Sequence, residues 1–514
     1  MIMKARWKIL LVLGIFFTLV AASLLVTAHF QPENELEAYK KTLREKGEKL
    51  ELDEVMPRPV PSESNSVEAV EEAFRIFGSG DPKLPEVMKM VAPGKALIGW
   101  RQPEVRGYNF TNSWDEFAAE AAANLPAIEL LQEVLERPKL DFQLDYKKVA
   151  ALLLPHLGPM KRATQILEAE AVLELHNRNT GAAMTNIVTL LALIHNNTGE
   201  GLLISHLVHI AMAAIAVAPT WELLQATNAT DAQLAAVQRS WEQLDFLNEA
   251  ETTFAMERAW MTREIQKARA SSEALDGIYG SFGAGGSSGS GSSGAWDWDA
   301  MSESARLAVG KTMWRSSWSY SDELHVLKSQ QIILEAVRAM QTNQSQFFKA
   351  DLDKMNSRLS SLGLTNTGQA FFRALKIPDF AEIFGGMGLN NTVQKTLRME
   401  AARRVVVTAI ALKRFQLKNG QWPETLDALT PELFRSVPID PYDGKPLRYH
   451  PNADGTYLLY CVGEDGVDDG GDASPVSSAS VAPATWSWQR ARDWVWPQPA
   501  TPAEVQDFYE HPPK

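Results

Sequence analysis

The stretch Ile9 to Ala28 constrains this chain more than any other, because it holds 20 consecutive residues without a charge. That length matches what a helix needs to cross a bilayer core of about 30 Å. Lys4, Arg6 and Lys8 precede it. Basic residues stay on the cytoplasmic side, so the remainder of the chain is expected outside it, as a single-pass, membrane-anchored, periplasmic or otherwise extracytoplasmic protein. A cleaved signal peptide is the competing reading, since Val26-Thr27-Ala28 offers small residues at a cleavage position, although the apolar run exceeds the usual signal core.

The whole chain of 514 residues is more than one hydrophobic core organises, so several domains are expected. The pattern divides the chain into an anchor at 1–30, a stalk at 31–66, a helical domain at 67–279, a Gly/Ser linker at 280–296, a second helical part at 297–391 and a C-terminal module at 392–514. In the stalk, Pro57, Pro59 and Pro61 hold the chain extended, after one helix from Glu35 to Glu48. Apolar residues at three- and four-residue spacing predict helices over Trp114 to Leu135, Tyr146 to Leu157, Met160 to Arg178, Gly181 to Ile194, Gly201 to Val217, Asp231 to Phe246, Glu249 to Ala270, Ser319 to Met340 and Gln346 to Leu362. The predicted class is mainly α: a transmembrane helix, a helical bundle or stacked helical hairpins, and a small α+β module with two to four antiparallel strands. Gly201 to Val217 is uncharged and long enough to raise a second span, but Ser205, His206 and His209 within it favour a buried core helix.

The net charge of -13 argues against a phosphate-binding surface, so no nucleic acid is expected as a partner. The single cysteine, Cys461, excludes an intramolecular disulfide and any zinc site with two thiolates. Gly285 to Gly289 reads G-x-S-x-G, yet it stands in a Gly/Ser tract without the strand and helix that a nucleophile elbow needs. Gly310-Lys311-Thr312 ends like a phosphate loop, but Ala305 replaces its first glycine. His206 and His209 share a helical face, with His176, Glu170 and Glu174 on a neighbouring helix; without a Glu-x-x-His or His-Glu-x-x-His motif these read as core residues before metal ligands. Glu257 and Arg258 read as a paired charge, and the tail tryptophans Trp486, Trp488, Trp494 and Trp496 as edge packing on a small sheet.

The C-terminal module is the most informative part. Leu397, Ala401, Val405, Ala409, Leu412 and Phe415 form a stripe on a helix from Val393 to Lys418, closed by Gly420 in the left-handed conformation. After it come "NGQWPETLDAL", the turn "PIDPYDGKPLRY", and "DGTYLLYCVGEDGVDDGG", whose alternation predicts a hairpin. This order resembles the globular head of the major pseudopilins of type II secretion, and the whole chain is similar to long envelope proteins of planctomycete and verrucomicrobial type. Two features depart from the pseudopilin pattern: Gly14 lies inside the apolar run, and Leu19 stands where those proteins carry a glutamate. The resemblance implies a calcium ion at the acidic loop, with Glu464, Asp465, Asp468, Asp469 and Asp472 as ligands and Asp493 as a later acidic one; a hard cation takes six to eight such oxygens. A solvated acidic loop is the alternative. The functional expectation is a membrane-anchored extracytoplasmic scaffold with a protein partner, related to secretion or envelope organisation. Its rival is an extracytoplasmic hydrolase with an acidic site assembled from separate helices.

Overall fold

A helical stretch with no charged residue on any side packs inside a protein, and Val405 to Leu412, in the helix after residue 388, is such a stretch, buried throughout. The computed structural model describes residues 31–77, 82–147, 154–281, 308, 311–342, 348–362, 389–476 and 491–512. The expected anchor, most of the Gly/Ser linker, Trp486 and Trp488 lie outside the described residues. The chain is mainly helical, with a small antiparallel sheet near its C-terminus.

In chain order the principal elements are α1 (31–45), α2 (Val67–Phe77), β1 (Met90–Ala92), β2 (Lys95–Ala96), β3 (Val105–Gly107), β4 (Phe110–Asn112), α3 (Trp114–Ala121), α4 (Leu125–Leu131), α5 (Leu157–His176), α6 (Thr180–Asn197), α7 (Leu203–Leu224), α8 (Asp231–Glu242), α9 (Phe246–Ala270), α10 (Ser272–Ser281), α11 (Ser319–Thr342), α12 (Phe348–Ser361), α13 (Leu389–Asn419), β5 (Arg448–Pro451), β6 (Tyr457–Val462), β7 (Asp493–Val495), β8 (Gln498–Pro499) and α14 (Pro502–Glu510). Capping boxes at Ser113/Glu116, Thr230/Gln233 and Thr501/Glu504 start α3, α8 and α14 by satisfying the first free N–H groups. Gly420, at φ +76°, ends α13 in the expected left-handed cap, its N–H donating to the Gln416 carbonyl at 2.8 Å.

The chain forms two compact units. The smaller takes the described parts of Met1–Met56, Phe254–Leu334 and Met355–Leu389. Here the expected stalk differs from the structure. Leu36 and Leu43, seven residues apart on α1, are fully buried with Leu50, Leu324 and Leu327, so this segment belongs to a core rather than to a solvated spacer. Arg258 is buried, donating to the Glu48 carboxylate at 3.0 Å and the Lys49 carbonyl at 2.9 Å.

The larger unit takes Pro57–Thr253, Glu335–Lys354 and Asn390–Lys514. The three prolines lead an extended segment held by hydrogen bonds from Val60, Asn65 and Ser66 to residues 139–141. Helices α5, α6 and α7 pack on one another, and α8 on α6. On α13 the expected stripe is buried, with Phe415 partly so, and Met399, Ala402, Val406 and Ile410 are buried as well. That all-round burial explains why 392–514 has no core of its own: α13 shares one with α5 to α8, β6 and Trp494 and Trp496. The boundary expected at 391/392 therefore does not separate two cores.

β5, β6 and β7 form an antiparallel sheet in that order, with Tyr449 opposite Leu459 and Cys461 opposite Trp494. Parallel pairing of β8 with β2 ties the tail to the β1–β2 hairpin, where Gln498 N donates to the Gly94 carbonyl at 2.9 Å. Among the described residues α7 alone is long and apolar enough to cross a membrane, and half of its apolar window is buried inside the protein. It packs on α5 and α6 and carries Ser205, His206, His209 and Glu222 in the interior, as a core helix does.

Candidate functional site

The acidic loop between β6 and β7 is shaped by glycine. Gly466, Gly470 and Gly471 have φ between +72° and +84°, and a Cβ on Gly463 would lie 2.4 Å from the Arg492 carbonyl oxygen. The six predicted ligands go to different partners. Glu464 pairs with Arg398. Asp465 accepts from the Val467 N–H at 3.0 Å in a local turn. Asp468 accepts from Arg448 Nε and the Tyr460 hydroxyl, each at 3.0 Å, and these contacts hold it below the usual carboxylate range despite an opposing effect of burial. Asp469 and Asp472 each lie 3.7 Å from the Arg492 guanidinium.

Asp493 is wholly buried, and its Oδ2 accepts from the Gly471 and Asp472 N–H groups at 2.8 and 3.1 Å. Its Oδ1 is buried with no hydrogen-bond donor, and burial raises the carboxyl's pKa. Among the described residues no three His, Cys, Asp or Glu side chains stand where they could share a metal ion. The donor set fits calcium in one respect, the free Oδ1 of Asp493 at the start of β7, with Asp468, Asp469 and Asp472 in the loop before it. Glu464 and Asp465 are engaged elsewhere.

The sequence reading missed the counter-charge of this region. Arg448 pairs with Asp440 at 2.9 Å, with Asp443, and with Asp468 at 3.0 Å. Asp440, read above only as a turn residue, is fully buried, and its Oδ2 also accepts from the Val462 N–H at 2.7 Å. Burial pushes its pKa up to about 6.

A second polar cluster lies inside the helices. His206 and His209 do share a face, but it meets Glu249 of α9, not His176 or Glu170. His209 Nδ1 is 2.5 Å from Glu249 Oε1, and His206 Nδ1 is 3.2 Å from Oε2. The outer nitrogens contact Asn197 Oδ1 at 2.9 Å and Thr396 Oγ1 at 2.8 Å. Burial penalises the Glu249 charge, but the two imidazoles outweigh it and lower its pKa to about 2; burial opposes and Glu249 favours a raised His209 pKa. Beside them Ser205 donates to Glu200, whose Oε1 lies 2.8 Å from His156 Nε2, an ion-pair distance outside hydrogen-bond geometry. His156 reaches a cavity of about 400 Å³ walled by Phe74, Phe142, Leu144 and Pro155, with Glu71 and Arg75 also lining it. The i, i+3 spacing of the histidines was the only trace of this cluster in the sequence, because Glu200, Glu249 and Thr396 come from separate elements.

His176 instead stacks on Trp114, ring centroids 3.9 Å apart, and its Nδ1 lies 2.9 Å from the Trp100 carbonyl oxygen. Glu170 lines a smaller cavity of about 130 Å³, and burial together with Glu174 raises its pKa to about 7. Glu222 of α7 accepts from the Met88 and Gly99 N–H groups at 2.9 and 2.8 Å and is pushed up to about 8 by burial. Glu168, partly exposed yet closely surrounded, rises to about 8 through burial and the nearby Glu222 charge. Trp494 and Trp496 are core residues, Trp494 meeting Tyr442 edge to face. Comparison with family models, with curated proteins and with solved structures returns no match.

Proposed function

We propose that this chain is a membrane-tethered, extracytoplasmic scaffold, related to secretion or envelope organisation, that presents a pseudopilin-like head to a protein partner. The observation that supports this reading is the C-terminal arrangement: a long buried helix, α13, followed by the antiparallel sheet β5-β6-β7, with a glycine-shaped acidic loop joining its last two strands. Because α13 shares its core with α5 to α8, the head is an integral part of the larger unit rather than a detachable tip. The tether is residues 9–28. The calcium that the resemblance implies would require Asp468 and Asp469 or Asp472 to close in on Asp493 Oδ1, since no three of these side chains stand within reach of one ion among the described residues.

The rival hydrolase asks for two close carboxylates of perturbed ionisation in a cleft. Glu168 and Glu222 are such a pair, but Glu222 uses one oxygen to hold two backbone N–H groups, and neither residue lines the two cavities described above. Two measurements on the full chain in lipid nanodiscs test the proposal. Calcium titration is expected to give micromolar binding and a raised melting temperature, both lost in Asp493→Ala and Asp468→Ala; no heat and an unchanged melt would remove calcium. A photo-crosslinking residue at Val467, 53 % exposed, is expected to trap one discrete protein in cells, and no adduct there would count against the scaffold.

A further inference from the structure

The cavity at His156 is walled by aromatic faces in nearly one orientation. Phe142 stacks on His156 with centroids 4.1 Å apart and planes 22° apart, and Phe74 lies 6.4 Å from Phe142 at 11°. Leu144 and Pro155 complete an apolar wall, and about 400 Å³ accommodates one or two rings. A planar guest can lie along such faces; a branched aliphatic one cannot use them.

The polar groups select the guest's charge. Glu200 occupies the Nε2 side of His156 at 2.8 Å, which leaves Nδ1 as the other ring nitrogen. Arg75 is exposed and ion-paired to Glu72 at 2.7 Å, so it offers little to an anion, while Glu71 lines the cavity and Glu200 stands behind it. Among the described residues two carboxylates stand against one ion-paired guanidinium, which disfavours an anionic guest. The Glu200 carboxylate takes the Nε2 side of the ring by ion-pair contact, so Nδ1 is the nitrogen left to a guest, and a hydroxyl, which both donates and accepts, suits it in either tautomer.

We propose that this cavity is a binding site for a small neutral aromatic molecule carrying a phenol-type hydroxyl, which stacks along Phe142 and Phe74 and hydrogen-bonds His156 Nδ1. The occupied site couples to the core, because His156 meets Glu200 and Glu200 accepts from Ser205 on α7.

The test is ¹⁹F line broadening of 4-fluorophenol on the full chain in nanodiscs, with empty nanodiscs subtracted and fluorobenzene and 4-fluorobenzoate as comparison probes. Leu144→Trp fills the cavity from a partly exposed position, and His156→Phe keeps the ring stack but removes the acceptor. Protein-dependent broadening of 4-fluorophenol is expected, abolished in Leu144→Trp and weakened about 10-fold in His156→Phe, the scale of one lost hydrogen bond, with both comparison probes binding more weakly. Equal broadening in Leu144→Trp would overturn the site. Unchanged binding to His156→Phe, or stronger binding of 4-fluorobenzoate, would overturn the recognition.

Discussion

Replacing Glu222 with glutamine tests whether the interior of the larger unit holds a protonated carboxyl. The side chain is fully buried, and burial raises its pKa from 4.5 to about 8 against the opposing pull of the Gly99 and Met88 N–H groups. Between those values the unfolded chain has lost the proton while the folded chain keeps it. Stability therefore falls as pH rises, by about 1.4 kcal/mol per unit. The full contribution is present below pH 4.5 and is lost as pH climbs through 8, roughly 3–5 kcal/mol in all. Glu222→Gln retains an oxygen to accept from Met88 and Gly99 and has no charge to bury. It should match the parent protein near pH 5 and exceed it at pH 9 by roughly 5–10 °C in melting temperature, for a unit of this size. Thermal melts of the full chain at both pH values, followed by tryptophan fluorescence, read this difference; Trp221 and Trp241 lie in the same core. An equal loss of stability at both pH values would mean that Glu222 is buried ionised and that α7 needs its charge. Glu168, raised partly by the Glu222 charge, should titrate lower in the variant.

Other outcomes follow from the same geometry. Glu249→Gln removes the charge shared by His206 and His209 and should cost roughly 2–4 kcal/mol at pH 7. Because Glu249 is lowered to about 2, its contribution is full above pH 4.5 and lost as pH falls toward 2, so variant and parent should converge in acid melts. Gly463→Ala puts a methyl group 2.4 Å from the Arg492 carbonyl oxygen and should destabilise the β6–β7 connection by about 2 kcal/mol or more, read as faster amide exchange in β7. Arg448→Met leaves Asp440 buried beside Asp443 without its cation and should lower the melting temperature more at pH 8 than at pH 5, since Asp440 titrates near 6.

The helices were legible because their apolar spacing extends over many residues; expected and observed ends agree within a few positions from Met160 to Ala270, except that α7 runs seven residues past its expected end at Val217, through Pro219 to Leu224. β1 to β4 were not, since strands of two or three residues are too short to show alternation and are held by partners remote in sequence, as β2 is by β8. The stripe on α13 was read correctly, but one buried stripe hides whether the other faces are buried too. Met399, Ala402, Val406 and Ile410 bury them, and so a segment expected to stand apart shares the larger unit's core. At the candidate sites, the acidic residues announced themselves by composition. Arg398, Arg448 and Arg492 did not, because pairing depends on three-dimensional neighbours. His156, Glu200 and Glu249 carry no motif; His156 meets Glu200, and Glu249 meets His206 and His209, only when α5, α6, α7 and α9 pack.

The proposed tether at residues 9–28 would leave the folded units outside the cytoplasm. A tag placed after Lys514 in the full chain, followed in Gram-negative cells, tests it most directly. The tagged protein should stay in carbonate-washed membranes, and protease should remove the tag once the periplasm is opened, with the inner membrane still sealed. A tag that survives until the inner membrane is lysed, or a protein that leaves with the soluble fraction, would contradict it.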